Sequence, residues 1–197
     1  MDNKSYKDHF FYKAKNLGFR SRSAFKLIEL DNKFKFLKNH INLIDLGSLP
    51  GGWCQVAKKK IKNGKIIGLD KKKIVDKING VNILQGDFFK KEIKDLLLSN
   101  FDSKIDVVLS DMAADTTGSK SLDCIRTNQL CLSVLEFSKN VLGKNGTVVS
   151  KLFMGEDFEE VRSKAKINFK KINFFKPNSS RNESKETYIH CVGLNTL

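Results

Sequence analysis

The chain is poor in the residues that mark boundaries, crosslinks and membrane segments. It has two prolines, Pro50 and Pro177, and with no proline-rich linker and no internal repeat a domain boundary has no obvious place to fall. Its four cysteines, Cys54, Cys124, Cys131 and Cys191, form no C-x-x-C pair, and the three histidines, His9, His40 and His190, stand in unrelated contexts. That spacing argues against a structural zinc or other metal site and points to packed thiols in a reducing compartment. No apolar run approaches the roughly 20 residues of a membrane-spanning helix, and the start, Met1-Asp-Asn-Lys4, lacks the apolar core of a signal peptide. The expectation is a soluble, cytoplasmic protein without a membrane partner, or an organellar one, such as mitochondrial, if a transit peptide has been removed.

Acidic residues are also in the minority, 22 against 36 Lys and Arg, for a net charge of +14. Such an excess favours a polyanionic partner, because neutralising phosphates releases condensed counterions. The ordinary alternative is lysine spread over solvated faces, as in residues 58–60 or 71–73. At 197 residues and 40% hydrophobic composition, the chain can bury one core without disulfides, so residues 1–197 read as a single domain, expected to be monomeric.

Short β-rich runs at 42–46, 65–70, 81–85, 105–110, 147–153, 171–176 and 187–194 alternate with helical spacing at 52–61, 89–98, 123–142 and 156–165. Alternation of this kind predicts a doubly wound α/β domain, a mainly parallel seven-stranded sheet with helices on both faces. Ahead of it, residues 1–40 form a basic and aromatic extension ending in a helix over about 23–36, with Ser23 as its N-cap. Ala24, Leu27, Ile28 and Leu30 suit its buried stripe and leave Lys26 on another face.

A strand ending Leu43-Ile-Asp45 runs into Gly47-Ser-Leu-Pro-Gly-Gly52 and then a helix. Glycines there let backbone approach a ligand at the carboxyl edge of the sheet, where open α/β sheets bind their ligands. Asp70, about twenty residues on, closes the second strand where a carboxylate accepts hydrogen bonds from ribose hydroxyls. Asp87 closes the third strand and suits the exocyclic amine of adenine, with Phe88 as an apolar wall. The spacing is not G-x-G-x-x-G, so a dinucleotide is the poorer match, although Lys71 to Lys73 beside Asp70 suit a cofactor phosphate. S-adenosylmethionine fits better, because Asp45 and Asp111 near the strand ends favour a sulfonium cation over a phosphate.

Asp111 follows the strand Ile105-Asp-Val-Val-Leu-Ser110, Lys151 lies in Val148-Val-Ser-Lys-Leu-Phe153, Glu186 precedes the last strand, and Lys26 comes from the early helix. Two cations and two carboxylates that converge make a proton-handling site. Taken singly, each has a plainer reading as a helix cap, a snorkelling strand lysine, a solvated glutamate or a surface lysine.

The segments Phe19-Arg-Ser-Arg-Ser-Ala-Phe-Lys26, Asp45-Leu-Gly-Ser-Leu-Pro-Gly-Gly-Trp-Cys-Gln55, Gln85-Gly-Asp87, Ser110-Asp-Met-Ala113, Ser150-Lys-Leu-Phe-Met-Gly-Glu156 and Lys176-Pro-Asn-Ser-Ser-Arg-Asn-Glu-Ser-Lys-Glu-Thr-Tyr188 resemble, in order and spacing, the FtsJ/RrmJ-like 2′-O-ribose RNA methyltransferases. The resemblance covers nearly the whole chain. It implies a Rossmann-like fold and a tetrad of Lys26, Asp111, Lys151 and Glu186. It also implies S-adenosylmethionine contacts at Gly51, Trp53, Asp70, Asp87 and Asp111, to which the glycine turn and apolar wall add Gly47, Pro50 and Phe88. The implied reaction is attack of a ribose 2′-hydroxyl, expected to belong to a uridine, on the sulfonium methyl. The resemblance places Lys151 beside the attacking oxygen, either as a neutral base or as a cation that steers the oxygen and stabilises the alkoxide. Ser48-Leu49, Ala114 and Asp157 depart from the family pattern in loops that bear on substrate detail.

Lys13, Arg20, Arg22 and Arg181 are the candidate RNA contacts, with Tyr12 and Phe19 as candidate stacking surfaces. The glycine pair before Trp53, the Asp-Met-Ala segment and the compact length resemble the large-subunit ribosomal RNA enzymes more than the tRNA enzymes. The implied partner is therefore ribosomal RNA, free or in an assembled large subunit. A tRNA 2′-O-methyltransferase and a non-catalytic RNA-binding factor of the same fold are the alternatives, with a nicotinamide oxidoreductase behind them.

Overall fold

A computed structural model describes residues 9–73, 77–155, 157–181 and 183–195. The Met1–Lys4 segment, Glu156, which opens the expected 156–165 helix, and Asn182 of the last family segment lie outside the described residues. In chain order the elements are α1 (His9–Asn16), α2 (Ser23–Phe34), β1 (Leu43–Leu46), α3 (Gly52–Lys60), β2 (Ile66–Asp70), β3 (Asn82–Gln85), α4 (Lys91–Ser99), β4 (Ile105–Ser110), α5 (Lys120–Val141), β5 (Leu142–Phe153), α6 (Phe158–Asn168), β6 (Phe169–Phe175) and β7 (Glu186–Leu194). The strands form one seven-stranded sheet in the order β3-β2-β1-β4-β5-β7-β6. β3 through β5 run parallel, while β7 is antiparallel to both β5 and β6.

Period-two alternation splits the core in two. Ile44, Leu46, Ile67, Leu69, Val108, Val148, Leu152 and Ile189 pack under α4, α5 and α6. Leu43, Ile66, Val107, Leu109, Val149 and Tyr188 pack on the other face, against Ala24, Leu27 and Leu30 of α2 and Trp53, Val56 and Ala57 of α3. Leu27 and Leu30 are fully buried, and each such side chain stabilises the packing of α2 by about 1.5–3 kcal/mol. The faces matter for function because α2 carries Lys26 to only one of them.

Local chemistry moves several boundaries. Ser23 is the first residue of α2 rather than its cap: Arg22 occupies the cap position with no side-chain bond to the helix, and Ser23 Oγ pairs with Ser21 Oγ at 2.7 Å. The helix stops at Phe34 because Lys35 turns left-handed, φ 56° and ψ 46°, with its N–H on Asp31 O. α5 begins at Lys120, where the Ser119 side chain accepts from Leu122 N. It ends at Val141, and β5 starts at once, pairing Leu142 with Ile105 ahead of a register shift. All four cysteines are buried free thiols, and among the described residues no helix is long and apolar enough to cross a membrane.

Candidate active site

Sheet parity sorts the tetrad. Asp111 continues the parity of Val107 and Leu109, Lys151 that of Val149, and Glu186 that of Tyr188, so all three fall on the face covered by α2. Register then aligns them, Lys151 pairing with Tyr188 and Phe153 with Glu186. The side chains converge. Lys151 Nζ donates to Asp111 O at 2.6 Å and lies 3.1 Å from Asp111 Oδ1. Lys26 Nζ lies 2.7 Å from Glu186 Oε1 and 2.8 Å from Oε2. Burial pushes the Asp111 carboxyl upward, but Lys151, Lys26 and the Tyr188 hydroxyl together outweigh it, and Asp111 is held below the usual carboxylate range.

Three polar side chains around the tetrad have no place in the sequence reading. The fully buried Tyr188 donates its hydroxyl to Asp111 Oδ1 at 2.6 Å, and burial, then the charges of Asp111 and Glu186, push its own ionisation well up. Ser180 Oγ donates to Glu186 Oε1 at 2.8 Å, and Ser184 Oγ accepts from Glu186 N at 3.1 Å. The signal for Tyr188 was available: it is two residues from Glu186 and therefore on the same face.

Beside Asp111, at the strand carboxyl ends, opens a cavity of about 590 Å³ whose lining includes Gly47, Asp70, Phe88, Asp111, Met112 and Arg126. It lies at the topological switch point between β1 and β4. Of the eight expected cofactor residues, Gly47, Asp70, Phe88 and Asp111 line it. Asp70 is held by Leu49 N at 2.9 Å and Lys72 N at 2.9 Å. Asp87 is not among the lining residues, although Gly86 and Phe88 beside it are. Its carboxylate accepts from Phe89 N at 3.0 Å, which lowers its proton affinity, and lies 3.2 Å from Lys71 Nζ. The Trp53 side chain faces the core, its Nε1 donating to Ser23 O at 2.8 Å and its ring tilted against Tyr188. Pro50 is exposed and Gly51 buried. Gly51 requires glycine at φ 109°, where a Cβ would lie 2.7 Å from Ile78 Cδ1.

These groups fit a cationic nucleoside. Asp45 is buried, Cys54 Sγ donates to its Oδ2 at 3.1 Å, and its Oδ1 has no partner among the described residues. Burial, reinforced by Asp111 and Asp70 against the Cys54 bond, pushes Asp45 up to about 7. Asp111 and Asp70 both raise the cost of ionising Asp45, and added positive charge there is favoured over a phosphate. Phe88, Met112, Ile125 and Leu130 supply apolar wall.

The four expected RNA contacts separate. Lys13 Nζ lies 5.2 Å over the Phe25 ring. Arg20 clamps two loops, donating from Nη1 to Pro50 O at 3.3 Å and from Nη2 to Lys77 O at 3.0 Å. Arg22 and Arg181 instead line a cleft shared with Lys26 and Glu186. Of the expected stacking surfaces, Tyr12 is 54% exposed, whereas Phe19 packs edge-on to Phe25 under Lys59.

Residues 19–194 match the FtsJ-like methyltransferase family. A Pelagibacter ubique protein named ribosomal RNA large subunit methyltransferase E is 44% identical over 189 residues, covering 96% of this chain and 93% of the relative. A Rickettsia akari protein of the same name is 44% identical over 191 residues, covering 94% and 84%. The crystal structure of a protein described as a ribosomal RNA methyltransferase from Plasmodium falciparum superposes with a TM-score of 0.81 at 36% identity, covering 89% of this chain and 98% of that one. The chain belongs to the FtsJ-like methyltransferase family.

Proposed function

We propose that the protein transfers a methyl group from S-adenosylmethionine to the 2′-hydroxyl of a uridine ribose in large-subunit ribosomal RNA, acting as a monomer where ribosomal subunits are assembled. The observation that carries this reading is the pairing of Lys151 with both the carbonyl and the carboxylate of Asp111, next to a cavity suited to a cationic nucleoside. The names of its relatives and its net charge of +14 support an RNA substrate.

Gly47, Asp70, Phe88 and Asp111 would hold the cofactor, with the backbone of Gly51 and Trp53 and the carboxylate of Asp87 as further contacts. Bound there, S-adenosylmethionine would supply an electrophilic methyl group. Lys151 has three ammonium donors. Two directions are fixed by Asp111 O and Oδ1, and the third would serve the 2′-oxygen, which it would orient and stabilise as negative charge develops, the hydroxyl proton leaving to solvent water. The hydrogen bond to Asp111 O and the ion pair with its carboxylate support this steering role over that of a neutral base. Glu186, held by Lys26 and Ser180, fixes the second ion pair beside the nucleophile. Asp111 joins the two sites, lining the cavity with one side chain while anchoring Lys151 and Tyr188.

The test is incubation with methyl-labelled S-adenosylmethionine and separate pools of ribosomal RNA, large subunits and tRNA, followed by mapping of the labelled ribose. Label at one 2′-oxygen of large-subunit RNA is expected. Label confined to tRNA would move the assignment to the tRNA alternative, and no label in any pool would overturn it.

A further inference from the structure

Arg22, Lys26, Arg181, Glu183, Ser184 and Glu186 enclose a cleft of about 330 Å³ on the Lys26 side of the tetrad. It is a second cavity, and it shares no lining residue with the cofactor cavity, which meets the tetrad through Asp111. Beside the Lys26–Glu186 ion pair, Arg22, Arg181 and Glu183 supply the rest of its charged lining. Burial, then the like charge of Arg181, lowers the Arg22 guanidinium, while Glu186 and Glu183 act in the opposite sense. An anion between the two guanidiniums would relieve that repulsion, and a guanidinium fork matches phosphate oxygens.

The segment that carries Arg181 is tied to α2. Glu29 accepts from Asn178 N at 2.6 Å and Ser179 N at 3.0 Å, and Arg22 Nη2 donates to Ser179 O. Ser180 joins it to Glu186. The Arg181 side chain therefore projects from an anchored backbone and is itself exposed.

Ribose chemistry gives the cleft a direction. The 2′- and 3′-oxygens sit on adjacent ring carbons, whereas the 5′-phosphodiester departs across the ring through an extra methylene. In-line attack also requires that the nucleophile's own substituents extend away from the cofactor cavity. We propose that the cleft between Arg22 and Arg181 receives the phosphodiester on the 3′ side of the nucleotide whose 2′-hydroxyl is methylated. The inference rests on the proposed 2′-O-methylation and assigns that site a polarity along the RNA chain.

The test titrates the full-length protein with uridine 3′-monophosphate and, separately, uridine 5′-monophosphate, followed by NMR. Wild type should bind the 3′-phosphate about tenfold more tightly, the worth of one charge-assisted hydrogen bond. Arg181→Ala should bring the two affinities within about twofold without altering thermal unfolding, and Arg181→Lys should recover part of the preference. Equal affinities in the wild type, no binding of either nucleotide, or a preference that survives in Arg181→Ala would overturn the subsite. Methyl transfer to ribosomal RNA is read separately: labelled RNA with no 3′ preference sinks the subsite alone, and an intact preference with no labelled RNA sinks the activity alone.

Discussion

Replacing Tyr188 with Phe isolates one hydrogen bond at the centre of the site. The side chain is fully buried, and its hydroxyl meets Asp111 Oδ1 at 2.6 Å, the same oxygen that Lys151 Nζ approaches at 3.1 Å. Phenylalanine keeps the ring against Trp53 and opens no cavity of consequence, so the loss is that of a bond to an ionised acceptor, about 1.5–3 kcal/mol. The low end is expected, because Lys151 stays. The sign with pH follows from Asp111. Its carboxyl is depressed in the folded protein, so its contribution is present above the unfolded value of about 3.9 and lost as pH falls through the folded one. Tyr188→Phe moves that folded value toward the ordinary one, so the deficit should be constant from about pH 8 to pH 5 and narrow below about pH 4. Urea unfolding across that range measures it. In parallel, methylation assays should show kcat down about tenfold, with little change in the S-adenosylmethionine KM, if the hydroxyl acts by fixing Asp111 for Lys151. A stability deficit under about 0.5 kcal/mol at pH 7 together with an unchanged kcat would refute this reasoning, since surface substitutions alone reach that size.

Two further perturbations probe other links. Gly51→Ala forces a side chain into φ 109° and within 3.1 Å of Arg20 Nη1 as well as 2.7 Å of Ile78 Cδ1; it should cost about 1–3 kcal/mol by thermal or urea unfolding and raise the S-adenosylmethionine KM more than the RNA KM. His190 is stacked 4.1 Å from Phe34, its Nε2 has no partner among the described residues, and burial pushes its pKa down to about 4. A base depressed in this way stabilises the fold above its unfolded value of about 6.5 and loses that contribution as pH falls toward 4; His190→Gln should flatten that segment of the stability profile in urea titrations.

Much of this architecture was legible in the sequence because its signals were periodic. The βαβ alternation placed every strand of the sheet, and the strand ends supplied Asp70 and Asp111 at the cavity. The failures have local causes. α1 is eight residues long and buries only Ala14, too short a stripe to separate from a basic extension. The start of β5 was hidden because Gly143, Lys144, Asn145 and Gly146 resemble a turn, yet the strand continues through them from Leu142. Ser23 had the chemistry of a cap but pairs with Ser21 instead. The separate commitments of the arginines were not legible: nothing in the sequence says that Arg20 clamps two loops while Arg22 lines the cleft beside Lys26 and Glu186. Tyr188 lies between these cases, since the parity that places Glu186 places it too.

The proposed chemistry depends above all on Lys151. The decisive measurement compares wild type with Lys151→Ala in single-turnover methyl transfer to large-subunit RNA, with S-adenosylmethionine and RNA binding measured on the same preparations. Loss of a positioned donor to developing negative charge predicts a rate lower by about 10²–10³ with both ligands still bound. A variant that binds both and turns over at a near-normal rate would contradict both the steering role and a general-base role for this lysine.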